Sequence, residues 1–593
     1  MSSQGRLAKD ERAGGTDLSS RAILDPRRGD VEDDLLSTKT RSLFAIGGSL
    51  ISEISFPKLA LAWALLIGLP GLVLGAAPLV AKIWFVETLD RIAALAGIGS
   101  ALILALVVGV GWLGFPHLLR ALERSFWSLN SIAVQPGYVL AREVLRHVLE
   151  GVAGSRMSEA SRARLRAATS AAAGGLAALV ALALIAWVWP YTRWTGEWAD
   201  FAAPMRLVVP ALANAVVLVS AFFGAASLAW GAADAAMDQL LTTRRFDEVA
   251  DPARTWRVAH LSDIHVVGDD CGFRIESGRA GPRGDRRFEE ALARLEAIQR
   301  AHPVDHILIT GDMTDAGRTG EWAAFLAALS RHPVLAERIL MLPGNHDLNI
   351  ADRGNPARLD LPTSPGKRLR QMRALSAMEA VQGGRVRVVD RRTGELGPTL
   401  TEFLQPHRAE IAAFADSGSL RLSRRLESLW EDCFPMVLPP PEPDGLGVAL
   451  LNSNAETHFS FTNALGLAPA LDVRAAVAVM ENHARASWIV ALHHHLLEYP
   501  RPAKALSERI GTALINGSWF VRQLAPVASR VVTMHGHRHV DWIGACGALR
   551  IISAPSPVME ASDDEPTSFY IHEIVSTGDA VALREPERVS LGP

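Results

Sequence analysis

The chain has 593 residues, a formal net charge of −3 and 49% hydrophobic residues. Its length exceeds one ordinary domain, and its near-neutral balance excludes the broad basic field that a nucleic-acid polymer demands. Its 3 cysteines, scattered without a CxxC pair, support neither a disulfide framework nor a thiolate metal site and fit a reducing compartment. A mean hydropathy of +0.16 is high for a wholly soluble chain, and the excess lies between about Leu59 and Ala233.

Residues 1–42 are polar and mixed in charge and read as a disordered cytoplasmic tail, with no cleaved signal peptide expected. Residues 43–240 read as an all-α membrane domain, because four stretches, at about 59–81, 92–116, 167–192 and 207–233, carry no formal charge. Each exceeds the roughly 20 residues that a helix needs to cross a bilayer. Trp187, Trp189, Tyr191 and Trp194 cluster where the third span would leave the membrane, as an interfacial belt does. The loop between the second and third spans is rich in arginine, Arg120, Arg142, Arg146 and Arg166 among them. Cationic loops stay in the cytoplasm, so this loop, both termini and the downstream domain are expected on that face of the inner membrane. The same loop either lies on the anionic leaflet or forms a helical hairpin. No ionisable residue falls inside the four stretches, which favours an anchoring or sensing bundle over a transporter.

After a linker at 241–255, residues 256–593 change character to short apolar runs separated by polar helical segments. Runs beginning at Arg257, His306, Arg338, Gly447, Ser487 and Arg530 read as buried strands, with helices such as 286–301 and 321–329 between them, and one more strand at 568–574. That alternation predicts a layered α/β domain with chemistry at the strand ends. The ends carry Asp263-Ile264-His265, Gly311-Asp312, Gly344-Asn345-His346-Asp347, His493-His494-His495 and Gly536-His537-Arg538-His539. Oxygen and imidazole donors without thiolates suit Mn, Fe, Zn, Co or Ni.

In order and content these motifs resemble those of the calcineurin-like metallophosphoesterases: DxH, GD, GNH(D/E), H and GHxH. The resemblance covers roughly residues 255–560. Gly311 to Asp315, leading toward Glu321-Trp322, and Leu451-Asn452-Ser453 look most like class III cyclic nucleotide phosphodiesterases and related glycerophosphodiesterases. The resemblance implies a four-layered α/β/β/α sandwich with two divalent or trivalent metal ions. It implies that Asp263, His265 and His539 bind one ion, that Asn345, His537 and a histidine of the triple bind the other, and that Asp312 bridges them. The pattern His-His-Pro matches His494-His495-Leu496, which selects His494; the missing proline keeps His493 as the alternative. His346 would protonate the leaving oxygen or stabilise its charge. Asp347 either orients His346 or caps the following turn.

Residues 348–444 form an insertion rich in Arg and Pro, with an amphipathic helix at 419–435. It either caps the site and sets substrate choice or places its arginines on a solvated face. The stretch 268–285 reads as a mobile loop. The expected activity is hydrolysis of a phosphodiester of cyclic-nucleotide or glycerophosphodiester type. The alternatives are a lipid or nucleotide-lipid phosphoester at the bilayer, or a silent membrane scaffold. The expected partners are thus a small phosphoester or a lipid headgroup, together with the bilayer.

Overall fold

A computed structural model describes residues 17–24, 64, 68–94, 135–153, 157–249, 254–268, 273–274, 279–280, 283–351, 365–457, 460–501, 503, 505–559 and 566–592. The chain separates into two units, Leu50–Met237 and Asp238–Pro593, the second joined by the N-terminal segment.

The first described element is a short helix, α1 (Leu18–Arg21), capped by Asp17 Oδ1, which accepts from Ser19 N. It lies inside the stretch expected as a disordered tail, and there the expectation fails. Leu18 and Leu24 are 3% and 9% exposed and join the main apolar cluster of the second unit. Burying each is worth about 2 kcal/mol, enough to order a few polar neighbours.

In the first unit, α2 (Leu69–Ala94), α3 (Gln135–Ala153), α4 (Glu159–Val188) and α5 (Val208–Ala236) are the long helices among the described residues. Three helical spans, Leu69–Val86, Glu159–Tyr191 and Pro204–Ala236, are long and apolar enough to cross a membrane. The expected second span, 92–116, falls outside the described residues from 95 onward. α2 also runs past the expected loop at 82–91, because nothing between Lys82 and Ala94 breaks a helix. α4 and α5 approach closely through small residues: a Cβ on Gly174 would lie 2.6 Å from Ser227 O, and one on Gly231 2.8 Å from Ser170 O. The arginines of α3 do not face outward. Arg142 NH1 pairs with Asp234 Oδ2 at 2.8 Å, Arg146 NH2 donates to Ser170 Oγ at 2.8 Å, and both arginines are buried. Among the described residues, Arg142 and Arg146 are therefore taken up inside the helical unit and are not free to face a leaflet.

The second unit is a mixed α/β fold with two large sheets, consistent with the expected metallophosphoesterase sandwich. The first sheet takes β1 (Arg254–Leu261), β2 (His306–Ile309) and β3 (Ile339–Met341) in parallel register, Val258 opposite His306 and Ile307 opposite Ile339. The helices α6 (Arg283–Ala301) and α7 (Thr319–Ser330) lie between these strands in sequence. The second sheet takes β4 (Leu446–Leu450), β5 (Ser487–Ala491) and β6 (Val531–His535), also parallel, with Leu446 opposite Ser487 and Trp488 opposite Val531. One apolar cluster contains Val258, Ile307, Val448, Ile489 and Val532, so both sheets share a core. Parallel register gathers the carboxyl ends of all these strands at one edge, where α/β proteins place their ligands.

The segment expected as an insertion is mostly structural. A long helix, α8 (Pro365–Gln382), and the strands Arg387–Val389 and Leu396–Thr399 extend the second sheet at its edge. The arginines of α8 are not on a solvated face: Arg368, Arg370 and Arg373 are buried, and Arg370 Nε donates to Leu348 O at 2.9 Å. Residues 352–364, which precede α8, lie outside the described residues. So does most of the expected loop at 268–285, apart from a small hairpin pairing Phe273 with Ala280 and the start of α6.

Candidate metal centre

Each strand end delivers its residue through a tight loop. Asp263, His265, Asp312, His537 and His539 all have left-handed φ, between 49° and 77°, and they are the only non-glycine residues with positive φ among those described. Such backbone costs about 1–3 kcal/mol per residue and persists where the surroundings over-determine it, typically at functional sites. The loops brace one another. Asp263 N donates to Gly311 O, Ile264 N and His265 N to Asp312 O, and His537 N to Asp263 Oδ2 at 3.0 Å. Gly311 has φ of +102°, and a Cβ there would run into the His493 ring; a Cβ on Gly536 would strike the Asp263 carboxylate.

The side chains meet in three groups among the described residues, one of them formed by His265, Asp315 and His346 and sharing His265 with another. Asp263, His265 and His539 bring their donor atoms within 4.8 Å of one another, as do Asp312, His493 and His537. His493 Nε2 stands 3.0 Å from Asn345 Oδ1, 3.1 Å from His537 Nδ1 and 3.3 Å from Asp312 Oδ2. The same Asp312 oxygen lies 3.7 Å from His265 Nε2, so it faces His265 as well as its own group.

The structure brings His493, not His494, to this point. His493 Nδ1 donates to Thr310 O at 2.8 Å, which turns Nε2 toward Asp312 and Asn345. His494 instead pairs its Nδ1 with Ser453 Oγ at 2.9 Å and lies against Gly466, where a Cβ would meet its ring. The sequence signal was available: the apolar run of β5 ends at Leu492, immediately before His493. A missing proline left the motif register ambiguous, and only the strand decides it.

Asp347 does not touch His346. Its Oδ1 accepts from Thr314 N and Oγ1 (2.9 and 2.6 Å), and its Oδ2 accepts from Gly344 N at 2.9 Å. It therefore ties the Gly344–Asp347 turn to the loop after β2, and these bonds neither orient His346 nor cap the turn that follows. Burial first, and then Asp312, push its carboxyl up to about 6. The group that orients His346 is one sequence reasoning missed. His346 Nδ1 lies 2.7 Å from Asp315 O, and the Asp315 carboxylate lies 3.3 Å from His265 Nδ1. Asp315 stands in the Gly311–Asp315 segment already singled out, three residues after Asp312, but its distance to two histidines depends on the fold.

Bound cations would match the chemistry of this donor set. Both ring nitrogens of His265, Nε2 of His494 and Nε2 of His537 are buried without a hydrogen-bond partner, and such orphans are costly unless something else is coordinated. If Nδ1 of His493 carries the proton given to Thr310, its Nε2 lone pair faces a carbonyl oxygen, a carboxylate and another imidazole. Donors alone repel; a cation among them resolves the conflict. The electrostatics agree. Burial disfavours charge on His493, yet Asp312 outweighs it and pushes the ring up to about 9. Burial would raise Asp312, but the imidazoles around it, His493 first, hold it well below the usual carboxylate range.

Residues 257–477 match the model of the calcineurin-like phosphoesterase family. The second unit thus carries a calcineurin-like phosphoesterase domain, the kind that hydrolyses phosphoric esters with metal ions. The matched stretch includes Asp263, His265, Asp312, Asn345 and His346, while His493, His537 and His539 lie beyond it and join them through the fold. No curated protein matches the chain. Among solved structures, a putative 5'-nucleotidase from Staphylococcus aureus in complex with alpha-ketoglutarate is similar at 14% identity and a TM-score of 0.29, over 57% of this chain. The chain spans 55% of that structure's length. PhoD is similar at 9% identity and a TM-score of 0.27, over 58% of this chain and 72% of its own. At those values neither likeness bears on substrate.

Proposed function

We propose that this chain is a membrane-anchored dinuclear phosphoesterase that hydrolyses a phosphodiester of cyclic-nucleotide or glycerophosphodiester type, with its phosphoesterase domain in the cytoplasm. The observation that carries the reading is the position of Asp312 Oδ2, 3.7 Å from His265 Nε2 and 3.3 Å from His493 Nε2, between two donor groups. Asp263, His265 and His539 would hold one ion, Asn345, His493 and His537 the other, and Asp312 would reach both. Two bound cations would supply the charge that draws in the phosphoryl oxygens and the acidity that makes water a nucleophile near neutral pH.

The chain's own groups supply the rest. His346 N donates to Asp312 Oδ1 at 2.8 Å, which seats the ring beside the centre, 4.6 Å from His265 between centroids. With Nδ1 held by the Asp315 carbonyl, Nε2 is the atom left to pass a proton to the departing oxygen. The Asp315 carbonyl positions this ring, while its carboxylate stands 3.3 Å from His265 Nδ1, as carboxylates behind metal-binding histidines do.

The full chain, purified in detergent with added Mn²⁺, should cleave bis(p-nitrophenyl) phosphate and retain about two metal ions, as expected of paired-metal sites. Absence of both turnover and bound metal in folded protein would move the weight to a silent scaffold. The three apolar spans support a second reading, a phosphoester carried on a lipid headgroup. Turnover of a lipid phosphodiester in vesicles at a rate far above that of soluble diesters would select it.

A further inference from the structure

The segment before the membrane region and the domain after it are parts of one folded unit. Leu18 N donates to Ser330 Oγ at 3.0 Å, at the end of α7, and Leu24 N donates to Ser376 Oγ at 3.3 Å, in the middle of α8. Leu18 and Leu24 are buried, and Ala22 and Ile23 pack against the same core. The stretch thus lies across two helices that lead away from the candidate site: α7 follows the Gly311–Asp315 loop and α8 follows the Gly344–Asp347 turn. α8 is also fastened to β3, since Gln382 Nε2 donates to Met341 O at 2.9 Å and its Oε1 accepts from Met341 N at 2.7 Å.

We propose that residues 17–24 are a docking segment that closes the chain on its own phosphoesterase domain, and that the membrane region between them therefore makes an even number of crossings. The inference rests on the membrane-anchored reading above and deepens it. A chain that leaves one face and must pack against a domain on that same face can cross only in pairs. Three described spans qualify by length and composition. An odd count is incompatible with the docked segment, so one further crossing is required, and the uncharged stretch at 92–116 is the candidate that the sequence offers. This parity comes from packing in the second unit alone. It is independent of the arginine distribution that orients the loops, and the two agree.

The test uses the full chain in lipid nanodiscs and in sealed vesicles. Hydrogen exchange should show amides 17–24 protected in the wild type, with that protection lost in Leu18→Ala/Leu24→Ala and weakened in the milder Ser330→Ala/Ser376→Ala. Free exchange of this segment in folded wild-type protein overturns the docking. For the parity, cysteines placed one at a time at Ser2 and at the exposed Ser590, with Cys271→Ser, are labelled in sealed vesicles with a membrane-impermeant maleimide. Labelling of both from the same face is expected; labelling from opposite faces overturns the proposal even if turnover is intact. Release of the protein from vesicles by alkaline carbonate would sink the anchored reading and the crossing count with it. The exchange result would still report on docking separately.

Discussion

The two units bury ionisable side chains in opposite ways. In the helical unit, Glu143 Oε1 accepts from Arg142 Nε and Arg146 NH1, both at 2.9 Å, and Asp234 Oδ2 accepts from Tyr138 OH at 3.0 Å and from Arg142 NH1. Both arginines face carboxylates, and Tyr138 adds a neutral donor at Asp234. In the phosphoesterase domain the buried groups are nearly all electron-pair donors, and Asp312, Asn345, His493 and His537 face one another with no lysine or arginine among them. Burial and charge alone therefore do not mark a ligand site. An unmatched set of donors does, because it is stable only when something positive is brought in.

The comparison can be broken most decisively at the centre. Asp312→Ala in the full chain should lower metal-dependent turnover of bis(p-nitrophenyl) phosphate about a thousandfold or more, roughly 4 kcal/mol, and lose bound metal. Turnover within a few-fold of wild type would show that the donor cluster is not the reacting site. In the helical unit, Asp234→Ala should instead act on stability, costing about 1–3 kcal/mol because it leaves Tyr138 OH and one end of Arg142 without an acceptor, Glu143 remaining beside Arg142. Thermal unfolding in detergent reads that loss, and a metal content unchanged from wild type confirms that the two networks differ in kind.

Next in size is the distinction between neighbouring histidines. His493→Ala should weaken metal binding beyond the roughly 10–100-fold typical of an outer partner, whereas His494→Ala should retain two ions. Calorimetric titration with Mn²⁺ decides, and the reverse ranking would restore the assignment drawn from the motif register. Asp315→Asn, which changes the carboxylate beside His265 and leaves in place the backbone carbonyl that holds His346, should fall within that 10–100-fold range. It should also move the pH profile of kcat, which a merely structural change would not do.

A last effect, spread over a wide pH range, concerns Glu321, buried on α7, where it accepts from Ala316 N at 2.9 Å and Arg318 N at 3.0 Å. Burial pushes its carboxyl up to about 8. The folded state then holds a proton that the unfolded chain releases above about 4.5. This stabilisation is fully present below that pH and is lost as pH rises toward 8, by at most about 1.4 kcal/mol per pH unit. Glu321→Gln should flatten that fall in urea unfolding of the full chain between about pH 5 and 8. An unchanged slope would mean that Glu321 is ionised in the fold despite its burial.

The features legible along the chain were local. Uncharged stretches marked the apolar helices, the runs from Arg257 to Arg530 marked the strands, and the Asp, Asn and His residues at their ends marked the chemistry, because each signal lies within a few consecutive residues. The tertiary structure decided whatever depends on residues far apart in the chain. Sheet register chose His493, 148 residues from Asn345. Loop packing turned Asp347 toward Thr314 and away from His346, and gave that orienting role to Asp315. Helix packing turned Arg142, Arg146 and Arg370 inward, although their charge alone pointed outward. It also drew Leu18, which reads as one apolar residue in a polar tail, to Ser330 across 312 positions. A side chain's partners are set by which strand ends and helix faces meet, and spacing along the chain carries almost no record of that.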